Sequence, residues 1–257
     1  MIEQLLHSSQ ISSAYTAAQD SHQDIYLVGG AIRDLFLTGS LSQDLDFIVT
    51  DNTESIAAAL SESFHGTYFC QDKKRNSYRA LIEDKSQCYT LDCSCIFRND
   101  LHTDLMNRDF SINSIALKLG DLFERNTLNF IDPVGGIEDL KKRIVRVSTP
   151  LSFQSDPVRI LRAVRISLIH NLTIDSTTRT LINETSELLP SSPWERIKNE
   201  FFTIIALPDA IHSLKVLDSL GLLTLLIPEM EAFKGMEQGK HHDCDLWEHS
   251  IRTVHFT

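Results

Sequence analysis

Hydrophobic and polar positions alternate with one rhythm in the first half of the chain and another in the second. DIYLVGG (24–30) predicts a strand ending in a glycine pair, AIRDLFL (31–37) a helix, and LDFIVT (45–50) a second strand after a turn containing Gly39 and Ser40. A helix fits 53–63, and YRALIE (78–83) and CYTLDCS (88–94) read as strands joined by the polar turn DKSQ. These elements predict a mixed sheet with covering helices. From Asp109 to Leu119 the apolar positions Phe110, Ile112, Ile115, Ala116 and Leu119 recur at helical spacing, and LFERNTLNFIDP then reads as a hairpin, with Pro133, Gly135 and Gly136 marking a boundary. Beyond it, 156–170, 175–189, 194–206 and 208–220 are predicted helices, with Pro157, Pro190, Pro193 and Pro208 at or near their starts. The predicted fold class is therefore α+β. A mixed-sheet head over 1–135 precedes an all-α neck over 136–206 and a partial helical body over 207–257.

Composition narrows the partners. With 257 residues and 42% apolar content the chain can bury a core. It contains no apolar run long enough to span a bilayer, and MIEQLLHSSQISSAY has neither a basic start nor a signal-type core, which predicts a cytoplasmic protein without membrane contact. Of five cysteines only Cys93 and Cys95 lie close together, spaced C-x-C, so free thiols are expected. The net charge of −11 argues against a generic nucleic-acid binder. Between 141 and 165, however, Lys141, Lys142, Arg143, Arg146, Arg159, Arg162 and Arg165 face only Asp156, which predicts a local basic surface.

Candidate chemistry gathers in the first strands. Residues two apart on a strand point to one side, so Asp44 and Asp46 in QDLDFIV can aim both carboxylates at one point. Such a pair suits divalent magnesium in phosphoryl transfer. Alone, D-x-D equally describes an exposed strand with solvated aspartates. Gly29 and Gly30 add weight, because between a strand and a helix they let a phosphate approach free backbone N–H groups, with Arg33 one turn further on. Asp92, in TLDCS, is a candidate third catalytic carboxylate.

LVGGAIRDLFLTGSLSQDLDFIV resembles the head-domain signature of the class II tRNA nucleotidyltransferase (CCA-adding enzyme) and bacterial poly(A) polymerase family. NRDFSINSIAL (107–117), IDPVGGIEDLKKRIVRV (131–147), SDPVRILRAVRIS (155–167) and ERIKNEF (195–201) agree with it in order and spacing, so the resemblance covers about residues 24–205. It implies a nucleotidyltransferase head, Asp44 and Asp46 as magnesium ligands, and addition of C and/or A from CTP and ATP to the 3′ end of tRNA without a nucleic-acid template. Base choice would then fall to protein side chains. Asp156 and Arg159, three apart at a predicted helix start, share a face; a carboxylate accepts from the exocyclic amine of cytosine or adenine and a guanidinium donates to ring acceptors. The resemblance also places Arg108, Arg162 and Arg165 on the nucleotide. Arg159, Arg162 and Arg165 spread over a wide helical arc, so they cannot all meet one atom. Asp109 and Asn113 are expected to cap or brace the helix after Arg108.

The chain departs from the family pattern at Asn107, where a second arginine is usual, and at Ser155, where a glutamate is usual. The short interval between Asp92 and Arg108 leaves complete CCA addition, CC-only addition and A-only addition all open. Poly(A) synthesis and a non-catalytic RNA-binding role are the competing readings. HHDCDLWEHSIRTV (241–254) resembles the opening of an HD-type phosphohydrolase domain, with His241, His242, Cys244 and His249 as tempting ligands. The later His-Asp pair that such a site needs does not follow, so no hydrolase activity is expected. The chain is expected to be a fragment of a longer protein or a naturally abbreviated one.

Overall fold

In the computed structural model, which describes residues 1–236 and 245–254, the period-two pattern of the first half becomes a single seven-stranded sheet. Two N-terminal helices, α1 (Ile2–Leu6) and α2 (Ser9–Asp20), lead into β1 (Ile25–Val28), α3 (Gly30–Thr38), β2 (Asp44–Val49) and α4 (Thr53–Ser63). Then come β3 (Thr67–Asp72), β4 (Ser77–Asp84), β5 (Gln87–Cys95), α5 (Leu101–Met106), β6 (Ala116–Lys118), α6 (Leu119–Arg125), β7 (Phe130–Ile131) and α7 (Gly136–Lys142). The strand order is β3-β4-β5-β2-β1-β6-β7, with β2 and β5 parallel and the other neighbours antiparallel. The expected mixed sheet is present, with β3 as an edge strand that the sequence pattern did not single out.

Alternation decides what each face of the sheet does. Leu45, Phe47 and Val49 of β2, Leu91 and Cys93 of β5, and Ala80 and Ile82 of β4 are all buried. On the opposite face Ile48 and Val28 pack with Leu105 and Ala116, while Asp44, Asp46, Asp92 and Arg79 occupy the positions beyond that apolar cluster. A strand that is apolar on one side and split between apolar and acidic residues on the other can bury a core and still present carboxylates.

Two expectations fail between 109 and 133. The helix expected over 109–119 is instead an extended Phe110, a 3-10 turn at Ser111–Asn113, and strand β6. Phe110, Ile112, Ile115, Ala116, Leu117 and Leu119 are all buried, and so are Ser111, Asn113 and Ser114 between them, so a segment buried on every side mimicked helical spacing. The free edge of β1 then captured it, pairing Val28 with Ala116 and Leu27 with Leu117. The expected hairpin contains α6, which ends at Asn126 in a left-handed conformation. Its Phe123 stacks on Tyr15 of α2 at 4.7 Å, which fixes the helix before β7 returns to pair with β6.

A second compact unit begins at Arg143. Its elements are β8 (Ile144–Val145), α8 (Ser152–Ser155), α9 (Arg159–His170), β9 (Thr173–Ile174), α10 (Ser176–Thr185), α11 (Trp194–Ile205), α12 (Ala210–Ser219), α13 (Leu222–Leu226) and α14 (Leu246–Val254). This unit is helical apart from a two-residue parallel ladder between β8 and β9. In α9, Ile160, Leu161, Ala163, Val164 and Ser167 form the buried stripe at helical spacing. The helix expected from 156 starts only at Arg159, because Asp156 precedes Pro157 and is held extended at φ −154° and ψ 93°. The helix expected over 175–189 becomes a 3-10 segment after Thr185, where Pro190 cannot donate to a helical ladder.

Candidate nucleotidyl-transfer site

Strand register brings the head carboxylates together. Asp46 lies opposite Asp92 on the parallel pair β2–β5, and Asp44 lies opposite Thr90. Asp44 is exposed, and Asp46 and Asp92 are half-buried. On the other side of β2, Asp46 is paired with Val28, and Gly29 follows at φ +73° and ψ −135°, a conformation that excludes side-chain-bearing residues at ordinary cost. A Cβ on Gly29 would stand 2.9 Å from Asp46 Oδ2 and 3.0 Å from Arg108 Nη1. The absence of a side chain there lets a carboxylate and a guanidinium close in on the backbone at the start of α3. Gly30, the first residue of that helix, lies close to Arg33, whose Nη2 would be 3.3 Å from an added Cβ.

Both arginines beside the glycine pair have partners of their own. Arg33 Nε donates to Asp34 at 2.8 Å, and its Nη1 donates to Asn113 Oδ1 at 3.0 Å. Asn113 in turn donates to Asp109 Oδ1 at 2.9 Å, the oxygen that also accepts from the Phe110 N–H. Asp109 and Asn113 thus brace a 3-10 turn, where a helix was expected, and Asn113 reaches across to fix Arg33. Arg108 Nε lies 3.6 Å from Asp104 and is buried without a hydrogen bond.

Arg79 is the site residue that sequence reasoning missed. It sits opposite Asp92 on β4 and donates to both carboxylate oxygens at 2.7 Å. Its guanidinium is held in the charged form first by those hydrogen bonds and then, against the cost of desolvation, by the charges of Asp92, Asp44 and Asp46. The only sequence signal was its position on a strand next to the acidic one. Behind Asp92, burial pushes the Cys93 thiol up, reinforced by Asp92 and Asp46, so this cysteine is inert. Cys70, Cys88 and Cys95 are likewise free thiols.

The donor set fits a hard divalent cation. Asp44 and Asp46 can supply oxygen ligands from alternate positions of one strand, and Gly29 lets the backbone at the start of α3 lie close against Asp46. No cluster of three or more His, Cys, Asp or Glu ligands is assembled among the described residues; both oxygens of Asp92 are engaged by Arg79.

In the helical unit the expected base readers are arranged differently from the sequence reading. Asp156 accepts from Arg196 Nη1 at 3.0 Å and Nη2 at 2.7 Å, whereas Arg159 Nε is 4.0 Å away and Arg159 Nη1 donates to Ser152 at 2.9 Å. Asp156 and Arg159 do not share a helix face, since only Arg159 is helical. Arg165 Nε donates to Glu200 at 2.6 Å, and Arg162 Nη1 lies 3.9 Å from the same carboxylate. Arg196 and Glu200 both lie in the ERIKNEF segment, but their partners are 35–40 residues away, so nothing local announced them. Asn107 caps the end of α5 with its amide donating to Thr103, and Ser155 donates to Ser152. His241, His242 and Cys244 lie outside the described residues, and His249 lies on α14.

Residues 25–146 match the family model of the poly A polymerase head domain, and residues 171–234 match that of the probable RNA and SrmB-binding site of polymerase A. The chain is 32% identical, over 89% of its length, to the A-adding tRNA nucleotidyltransferase of Deinococcus radiodurans. It belongs to the tRNA nucleotidyltransferase and poly(A) polymerase family. A second relative, the CC-adding tRNA nucleotidyltransferase of Thermus thermophilus, is 30% identical over 90% of the chain. The chain spans about half the length of these relatives, 51% of each. Among solved structures, a CCA-adding enzyme of Thermotoga maritima complexed with tRNA superposes with a TM-score of 0.74 at 27% identity, covering 88% of this chain and 55% of that one. A tRNA nucleotidyltransferase with a primer tRNA and an incoming ATP analogue gives 0.72 at 26% identity, covering 88% of this chain and 64% of that one. Nucleotidyltransferases of this family use a divalent metal. Among the described residues no helix is long and apolar enough to cross a membrane.

Proposed function

We propose that this chain adds C and/or A from CTP and ATP to the 3′ end of cytoplasmic tRNA, without a nucleic-acid template, in a magnesium-dependent transfer that releases pyrophosphate. The observation that carries the reading is the close approach of Asp46 and Arg108 to Gly29 at the start of α3, next to Asp44 on the same strand. The division expected from sequence assigns transfer to the head and base choice to the neck. Relatives named A-adding and CC-adding, and solved relatives holding tRNA with an ATP analogue or CTP, support this substrate class.

Asp44 and Asp46 would hold Mg2+, which when bound supplies positive charge to the attacking hydroxyl and to the phosphates. The Gly29–Gly30 backbone and Arg33 accept the triphosphate at the helix start, where N–H groups and the dipole favour anions. Arg108 lies where it can meet the same nucleotide. The 3′ oxygen of the RNA bonds to the α-phosphorus as the bond to the β-phosphate oxygen breaks, and the hydroxyl proton leaves toward the carboxylate cluster that includes Asp92. Asp156 would accept from the amine of cytosine or adenine while Arg159 donates to a ring acceptor, and Arg162 remains for phosphate or sugar.

Purified protein with magnesium and tRNA transcripts ending before, within and after CC, given CTP and ATP separately and together, tests the reading. Extension by CC, by A or by CCA names the variant; a long A tract replaces the reading with poly(A) synthesis. No incorporation under any of these conditions overturns it and leaves an RNA-binding role.

A further inference from the structure

We propose that Arg196 is a specificity-determining positioning residue, acting through Asp156. The inference rests on the assignment of Asp156 as a base reader above. The backbone places Asp156 between α8 and α9 in the extended geometry favoured before Pro157, but it does not set the plane of the carboxylate. Arg159, the expected local partner, reaches it only at 4.0 Å and is tied to Ser152. The group that aims the carboxylate comes from α11, where Arg196 engages both oxygens at 3.0 and 2.7 Å. A two-bond fork fixes the carboxylate plane, which a single ammonium cannot do. Each carboxylate oxygen still has a second acceptor direction, so the fork orients Asp156 without exhausting it. The remaining lone pairs are then fixed on either side of the fork, where an amine can donate to one of them. Uracil presents a carbonyl at that edge and would meet a carboxylate that cannot turn away.

This arrangement separates selectivity from triphosphate binding. Arg196→Ala should raise UTP incorporation relative to CTP by about tenfold, because the freed carboxylate no longer penalises the wrong edge. The KM for CTP should change less than this ratio. Arg196→Lys keeps the charge but not the fork, and should recover only part of the selectivity. In an Asp156→Asn background, removing Arg196 should change selectivity no further. Selectivity equal to wild type in folded Arg196→Ala overturns the inference. So does an equal loss with all four nucleotides, or an undiminished selectivity change in the Asp156→Asn background. If Arg196→Ala does not fold, wild-type selectivity in Arg196→Lys overturns it. These outcomes concern Arg196 alone when the wild type incorporates C or A selectively. A wild type that incorporates nothing, or does not discriminate, removes the functional reading and this inference with it.

Discussion

The head and the helical unit use charge in opposite ways. In the head, unlike elements bring acidic and basic groups together around one glycine: two strands set Asp46 and Asp92 side by side, and Gly29 lets Arg108 approach. In the helical unit the arginines of α9, whose wide arc was expected to keep them from meeting one atom, take different partners: Arg165 is tied to Glu200, and Arg159 to Ser152. A sheet fixes side-chain direction through register, so charges converge where strands are neighbours. A helix fans its side chains around an axis, and which of them are available depends on what the next helix offers.

The largest expected effect lies in the head. Asp46→Asn should lower nucleotide incorporation at least about a hundredfold, beyond the scale of losing an outer partner of a metal ligand, with the melting temperature nearly unchanged. Activity retained within a few-fold would remove Asp46 from the metal site. In the helical unit the contrast is between two arginines two turns apart. Arg165→Ala should cost about 1–3 kcal/mol in denaturant unfolding, since Glu200 is left largely buried without its donor, and should spare base choice. Arg159→Ala should do the reverse, blurring C and A against U and G more than it weakens triphosphate binding. If both variants behaved alike, the division of labour along α9 would be wrong.

Smaller effects test the supports. Asn113→Ala releases Arg33 from one of its partners and should raise KM for nucleotide about fivefold with little change in kcat, the scale of one hydrogen bond to a charged group. An effect confined to kcat would place Asn113 elsewhere in the reaction. The smallest expected change is at the sheet. Arg79→Gln should tighten magnesium binding to the nucleotide-free protein about two- to threefold by titration calorimetry, because Asp92 no longer has a competing cation beside it. Weaker binding in the variant would mean that Arg79 organises the acidic cluster and does not compete for it.

Much of the head was legible from local pattern. The strand of Asp44 and Asp46, the helix after the glycine pair and the helix over Thr53–Ser63 followed from alternation, turn residues and periodicity. Where apolar and small polar positions are buried together, as from Phe110 to Leu117, period does not separate helix from strand, and the open edge of β1 chose a strand. Arg79, Arg196 and Glu200 were invisible for a related reason. An isolated arginine on a strand or helix has no sequence mark until its partner, 13 to 40 residues away, is placed.

The sequence by itself determined the family, the paired carboxylates of β2 and the glycine pair between β1 and α3. Each of these depends on neighbours a few residues away, where backbone geometry is dictated by spacing and residue type. Tertiary structure alone decided that Asp92 faces Asp46 with Arg79 behind it, that Asn113 secures Arg33, and that Asp156 is aimed by Arg196. Those contacts depend on strand order and helix packing, which arise from burying the whole core and are written in no single segment.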